Sequence, residues 1–280
     1  MNLSSPVANN TFSNPDLSFH LMDFEDDATL QQDIIPVGEG SLVAGAMPMY
    51  FRYNDITFFD NTGYMAMLGS PKSNILVGYV DNDDLFTHNS LKTVRVNLQL
   101  GGNAYLWRNF LRLPLSIYVP IRLNAGYQYL SLNIEEEMDL FGTGDDKMNF
   151  LNVNFGAGLG ASFRFPLDNI PLLGSHISLD GYLLRSPGVM INFIAENGSL
   201  PGQSDSDNEV GVSVSNDLLI QARIHRFLES TVGVTAGIRF SALNWSTDSF
   251  DFSEAANALV GDDIPDNRMD FTSLFIGFNW

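Results

Sequence analysis

The 280-residue chain has no cysteine, which excludes a disulfide framework, a thiolate metal site, a cysteine nucleophile and a lipidated N-terminal cysteine. Basic residues are scarce: 14 Lys and Arg against 33 Asp and Glu leave a net charge of −19. Phosphate neutralisation needs clustered cations, so no nucleic-acid partner is expected. Charged residues of both signs make up 17% of the chain, against roughly a quarter in soluble domains. No stretch reaches the roughly 18 consecutive apolar residues that a transmembrane helix needs. Between Met1 and Gln32 no basic stretch precedes an apolar run, so a signal peptide is not expected within these residues; a membrane reading takes it as removed or not included. If the chain spans a bilayer, only a closed β-barrel could satisfy its backbone groups there.

What is present is alternation of apolar and polar residues with period two, the pattern of strands with one apolar and one wet face. Between Arg112 and Tyr129 one face reads Leu113, Leu115, Ile117, Val119, Ile121, Leu123, and the other Arg112, Ser116, Tyr118, Arg122, Asn124. Between Leu151 and Phe165 the apolar set is Leu151, Val153, Phe155, Leu159, Phe163, against Asn152, Asn154, Ser162, Arg164 and three glycines. The pattern predicts an all-β chain forming a single antiparallel up-and-down transmembrane barrel over residues 40–280. Ten strands are expected, near 41–53, 62–68, 74–81, 91–106, 112–133, 150–165, 176–195, 209–226, 230–245 and 268–280. The first two are short and weakly patterned, which leaves eight as the alternative. Residues 1–39 carry apolar islands such as Leu17, Phe19, Leu21, Met22 and Phe24, and are read as a periplasmic extension or a plug, either of which could dock a protein partner.

Connector lengths alternate between short and long, as periplasmic turns and external loops do. The long ones (54–62, 81–90, 134–149, 196–208, 246–267) hold most of the acidic residues and, of the basic ones, only Lys147. Lys72, Arg108, Arg112 and Arg226 sit at the short ones instead.

The chain closes on Thr272-Ser-Leu-Phe-Ile-Gly-Phe-Asn-Trp280, with Leu274, Ile276, Phe278 and Trp280 on one face. This resembles the C-terminal assembly signal of bacterial outer-membrane β-barrel proteins, in which a terminal aromatic follows alternating apolar residues; phenylalanine is the commoner last residue there. The resemblance implies an outer-membrane location, surrounding outer-membrane lipid, and recognition by the barrel-assembly machinery during insertion.

Candidate chemistry concentrates on the polar strand faces. Arg95, Arg122, Arg164, Arg185, Asp217, Arg223 and Arg239 are expected to face the lumen, with Arg112 at a strand end. Such arginines could select anions in a pore, or pair with Asp180, Asp217, Asp270 and amides to fill a narrow barrel. Aromatics near strand ends, among them Trp107, Tyr127, Tyr129, Phe165, Trp245 and Trp280, are expected as interfacial girdles. Acidic loop runs lack Ca-loop spacing, and no metal site or cofactor is expected. An enzyme acting on lipid A or peptides would need a base in the outer loops, where only His88, near Ser90, Asp83 and Asp84, stands. The expected function is therefore a non-catalytic structural or accessory barrel with a narrow, polar, Arg-lined lumen, the alternative being a porin-like channel for small solutes.

Overall fold

The computed structural model describes residues 40–53, 56–60, 63–83, 90–108, 110, 113–133, 146–167, 176–195, 206–225, 232–246 and 267–280. The expected N-terminal extension lies outside them. Among the described residues twelve strands follow one another: β1 (Ser41–Ala46), β2 (Met49–Tyr53), β3 (Ile56–Asp60), β4 (Tyr64–Gly69), β5 (Asn74–Asp83), β6 (Ser90–Trp107), β7 (Leu115–Asn133), β8 (Asp146–Pro166), β9 (His176–Ala195), β10 (Ser206–His225), β11 (Gly233–Trp245) and β12 (Asn267–Asn279). Ten of them, all but β2 and β3, close into an antiparallel ring sealed by β1 against β12. The short early strands belong to that ring, so ten is the count and not eight.

β2 and β3 form a hairpin on the upper edge, the edge joined by the long connectors. The expected first strand, 41–53, is broken at Met47 and Pro48, because proline has no N–H to give the ladder. Below the break β1 pairs with the last residues of β12, Ser41 opposite Asn279. Above it β2 takes over the same edge, Met49 opposite Phe271 and Arg52 opposite Arg268. β3 occupies part of the expected loop 54–62; its Ile-Thr-Phe-Phe run is strand-forming. The lower turn from β4 to β5 is tight: Ser70 N–H donates to Ser73 O at 2.8 Å, and Gly69 sits at φ +131°, which only glycine adopts without strain.

A perpendicular path around the ring leaves β10 at Gln221 and passes Gly237, Phe275, Gly45, Met65, Gly78, Arg95, Gln128, Phe150 and Asn192. It returns to β10 at Glu209, 12 residues from its start. Ten strands with that stagger tilt by roughly 40°, the geometry of a closed barrel.

The outer surface is an apolar belt. Leu274, Ile276, Phe278 and Trp280 on β12, Leu179 and Leu183 on β9, Phe155 and Leu159 on β8, and Val94, Val96, Leu98 and Leu100 on β6 all stand exposed, Leu159 at 65%. Trp107, Phe165, Phe278 and Trp280 mark its lower border. Its upper border is charged: Lys92 pairs with Asp81 at 3.4 Å and Arg268 with Asp270 at 2.8 Å. The Tyr79 hydroxyl, 2.5 Å from Asp81 Oδ2, holds the Asp81 carboxyl below the usual carboxylate range, and Lys92 adds to the effect. Apolar residues in such number facing outward around a closed ring would be intolerable in water. In a bilayer they are the required surface.

Candidate functional site: the lumen

The residues opposite the belt fill the interior, and they divide by height. In the lower and middle parts a polar network runs through the filling, beside the buried apolar side chains Val43, Met67, Leu76, Leu184, Leu219 and Phe275. Arg239, on β11 and 2% exposed, donates to Asp217 Oδ1 on the neighbouring strand (3.2 and 3.4 Å) and reaches the opposite wall at Asn74 Oδ1 (3.3 Å) and Gln99 Oε1 (3.1 Å). Gln99 Nε2 in turn donates to the Tyr182 hydroxyl at 3.0 Å. Arg223 pairs with Asp180 at 2.9 Å. Arg122 is buried, donates to the carbonyls of Gly102 and Ile121 and to Asn103 Oδ1, and lies over the Tyr182 ring. Near the lower rim the rings of His176 and His225 stack with centroids 4.0 Å apart, and Ser178 Oγ lies 3.0 Å from His225 Nε2.

These contacts follow from the strand register. Asp217 and Arg239 sit on adjacent strands, offset by one inward position, and Arg223 and Asp180 are offset in the same way across β10 and β9. A guanidinium buried at such a site without an anion is expensive, and the paired carboxylate with further hydrogen bonds offsets the desolvation.

Above this level the filling turns apolar. Met47, Met49, Phe51, Val80, Leu91, Leu130, Met148, Phe150, Met190, Leu243, Trp245, Met269 and Phe271 all face inward and are buried. Trp245 packs on Phe150 (5.3 Å, edge-on) and Phe51 (6.2 Å). Gly78 makes room for this layer, because a Cβ there would collide with the Met47 thioether.

Arg95 lies at the junction. It extends from β6 to the opposite wall, where Nη2 donates to Ser241 Oγ at 3.0 Å and the guanidinium carbon lies 4.2 Å from the Phe271 ring centroid. Arg95 and Arg239 therefore cross the lumen from opposite walls, one above the other.

Of the expected lumen-facing residues, Arg95, Arg122, Asp217, Arg223 and Arg239 do face inward. Arg164 is exposed at the lower end of β8. Arg185 is a correction: it lies opposite Ala157 and Asn216, on the outer face that carries Leu183 and Val189. The strand's apolar residues carry its outward phase, and Arg185 shares that phase. Asp270, a candidate lumenal partner, pairs outside with Arg268. Trp245 is a second correction, since it is 1% exposed inside the barrel and not part of a girdle. A third concerns the lumen's character: buried apolar side chains stand among its polar groups throughout, and above Arg95 they predominate. The signal for that layer is legible in the sequence: Leu130, Phe150, Met190 and Trp245 occupy the inward phase of their strands. Leu274, Ile276, Phe278 and Trp280 all point outward, Trp280 held by paired bonds between its backbone and Gly40. His88, Asp84, Arg112 and Arg226 lie outside the described residues. Among the described residues no three of His, Asp and Glu come together as a metal site.

The belt, the closed ring and the inward polar face together decide the class. This is a transmembrane β-barrel of the bacterial outer-membrane type. No family model matches the chain, and no curated protein matches it. Among solved structures it is similar to the crystal structure of Ail, the attachment invasion locus protein of Yersinia pestis, at 13% identity and a TM-score of 0.23, over 87% of this chain and 99% of that one. It is similar also to Ail in complex with the heparin analogue sucrose octasulfate, at 12% identity and a TM-score of 0.24 over the same shares. A likeness that slight has no bearing on function.

Proposed function

We propose that the chain is a non-catalytic barrel of a bacterial outer membrane whose lumen does not conduct water-filled current, and that it works as a structural or accessory subunit through its acidic outer loops or residues 1–39. The observation that supports this reading is the filling of the lumen. Arg95 and Arg239 cross it in succession, and thirteen apolar side chains stand above them. Interior width grows with strand number: about eight strands leave room only for side chains, while aqueous porins have roughly 16–18. Ten strands carrying this filling fall on the closed side. The apolar belt and the C-terminal motif support the outer membrane as its location, with outer-membrane lipid and the barrel-assembly machinery as its first partners.

Single-channel recording of the full-length protein in planar bilayers tests the reading. No stable openings are expected at low or high salt. Large ohmic openings would replace it with the porin-like reading. Openings only after removal of residues 1–39 would make that segment a plug.

A further inference from the structure

We propose that His176 and His225, at the periplasmic mouth of the lumen, form a binding site for a divalent late transition-metal ion that ties β9 to β10. The inference does not depend on whether the lumen conducts.

The pairing of β9 with β10 carries it. The chain has four histidines, and this register sets two of them directly opposite each other, His176 as the first residue of β9 and His225 as the last of β10. Both lie on the inward phase, with Ser178, Asp180 and Arg223. Both are only half-buried, so an ion in the periplasm reaches them without crossing the filled lumen. Imidazole nitrogen is a preferred ligand of zinc and copper ions, whereas calcium and magnesium take oxygen.

The geometry of the pair is the second support. The two rings lie 4.0 Å apart with 14° between their planes. At metal–nitrogen distances of about 2.0–2.1 Å, two nitrogens on one tetrahedral ion are roughly 3.4 Å apart. Near-parallel rings aim their in-plane lone pairs side by side, so binding requires the rings to turn toward one another. That motion is a rotation about χ2, which is soft for histidine, and no strand has to move. Ser178 Oγ lies 3.0 Å from His225 Nε2. When it accepts the Nε2–H, Nδ1 of His225 keeps the lone pair for the ion, which is how hydrogen-bonded neighbours orient metal-bound histidine. Charge inside the mouth does not oppose the ion, because Arg223 is paired with Asp180 at 2.9 Å. Arg164, opposite Ser178 on β8, is exposed, and solvent screens its charge. With two protein nitrogens bound, water fills the remaining positions on the ion.

The test uses the full-length protein, without an affinity tag, in phosphatidylcholine nanodiscs near neutral pH. His20→Gln with His88→Gln leaves the pair as the only histidines. In that protein we expect one Cu2+ to bind with the electron paramagnetic resonance spectrum of two nitrogen ligands, and Zn2+ to compete for the site while excess Ca2+ does not. His176→Gln and His225→Gln should each reduce the spectrum to one nitrogen and weaken binding by more than about tenfold. Ser178→Ala should weaken it by about tenfold, the lower end of what an orienting partner contributes, and Ser178→Thr should restore it. Zn2+ should raise the unfolding temperature of the protein that keeps the pair and of neither histidine variant. On the unsubstituted chain Zn2+ should also protect His176 and His225 from diethyl pyrocarbonate, a measurement that needs no variant to fold. Binding that survives either histidine substitution, displacement of the ion by Ca2+, or histidines that stay reactive under saturating Zn2+ would overturn the proposal.

Discussion

The two halves of the lumen solve the same packing problem with different mixtures: below, ion pairs are set among apolar groups such as Leu184, Leu219 and Phe275, and above, apolar groups predominate. Below, crossing side chains are polar, and each deep charge is answered by an acid or by amide and carbonyl groups, as Arg239 is by Asp217, Asn74 and Gln99. Above, Trp245, Phe150 and the methionines fill the same ring of strands as a soluble protein's core would. A membrane barrel with a lumen closed by pairing alone would not need the upper layer. Its presence shows that alternation specifies only which residues point inward and not whether they are polar or apolar.

Removing a partner from each half compares the two directly. Asp217→Ala strands Arg239 in the lower half and should cost about 3–5 kcal/mol, read as a drop in the urea midpoint of heat-modifiable gel mobility. Trp245→Ala empties the upper half and should cost a similar amount, about 3–5 kcal/mol, through the cavity it leaves. If Trp245→Ala were nearly silent, the layer would not be a packed wall. The outer face supplies the next contrast. Leu159→Arg puts a cation in the middle of the belt and should cost roughly 2–4 kcal/mol in lipid, whereas in a barrel surrounded by water it would be neutral, so folding titrations in bilayers decide. In the lower lumen Gly160→Ala presses a methyl into the ring of Tyr118 and should destabilise by about 1–3 kcal/mol; Gly160→Ala combined with Tyr118→Leu should recover much of that loss.

The smallest effect lies above the belt. Tyr79→Phe removes the hydroxyl that lowers the Asp81 carboxyl, so the Asp81 titration followed by NMR should move up toward the ordinary aspartate value. A depressed carboxyl contributes stability at pH above its unfolded value and loses it as pH falls through the folded one. The variant should therefore be slightly less stable than the parent near neutrality, and the difference should shrink as pH falls through the Asp81 titration.

The sequence by itself determined the number of ring strands, most of their limits, their antiparallel order, and the outward set ending in Trp280. All of these depend on local rules: a side-chain period of two, the length of each connector, and the bilayer's demand that every backbone group be paired. It also placed five of the lumenal charged residues on the correct face, because each lies in the polar phase of a long run. Only the tertiary structure decided which partners they meet. Arg239 finds Asn74, 165 residues away, and Arg95 finds Ser241, 146 residues away, through a closure whose 12-residue stagger no single strand encodes. The same closure brought Leu130, Phe150, Met190 and Trp245 from separate strand ends into one apolar layer. Arg185 was misplaced for the converse reason. A lone charge in an apolar phase looks like a change of face when the strand is read alone, and its pairing with Ala157 and Asn216 is what keeps it outside.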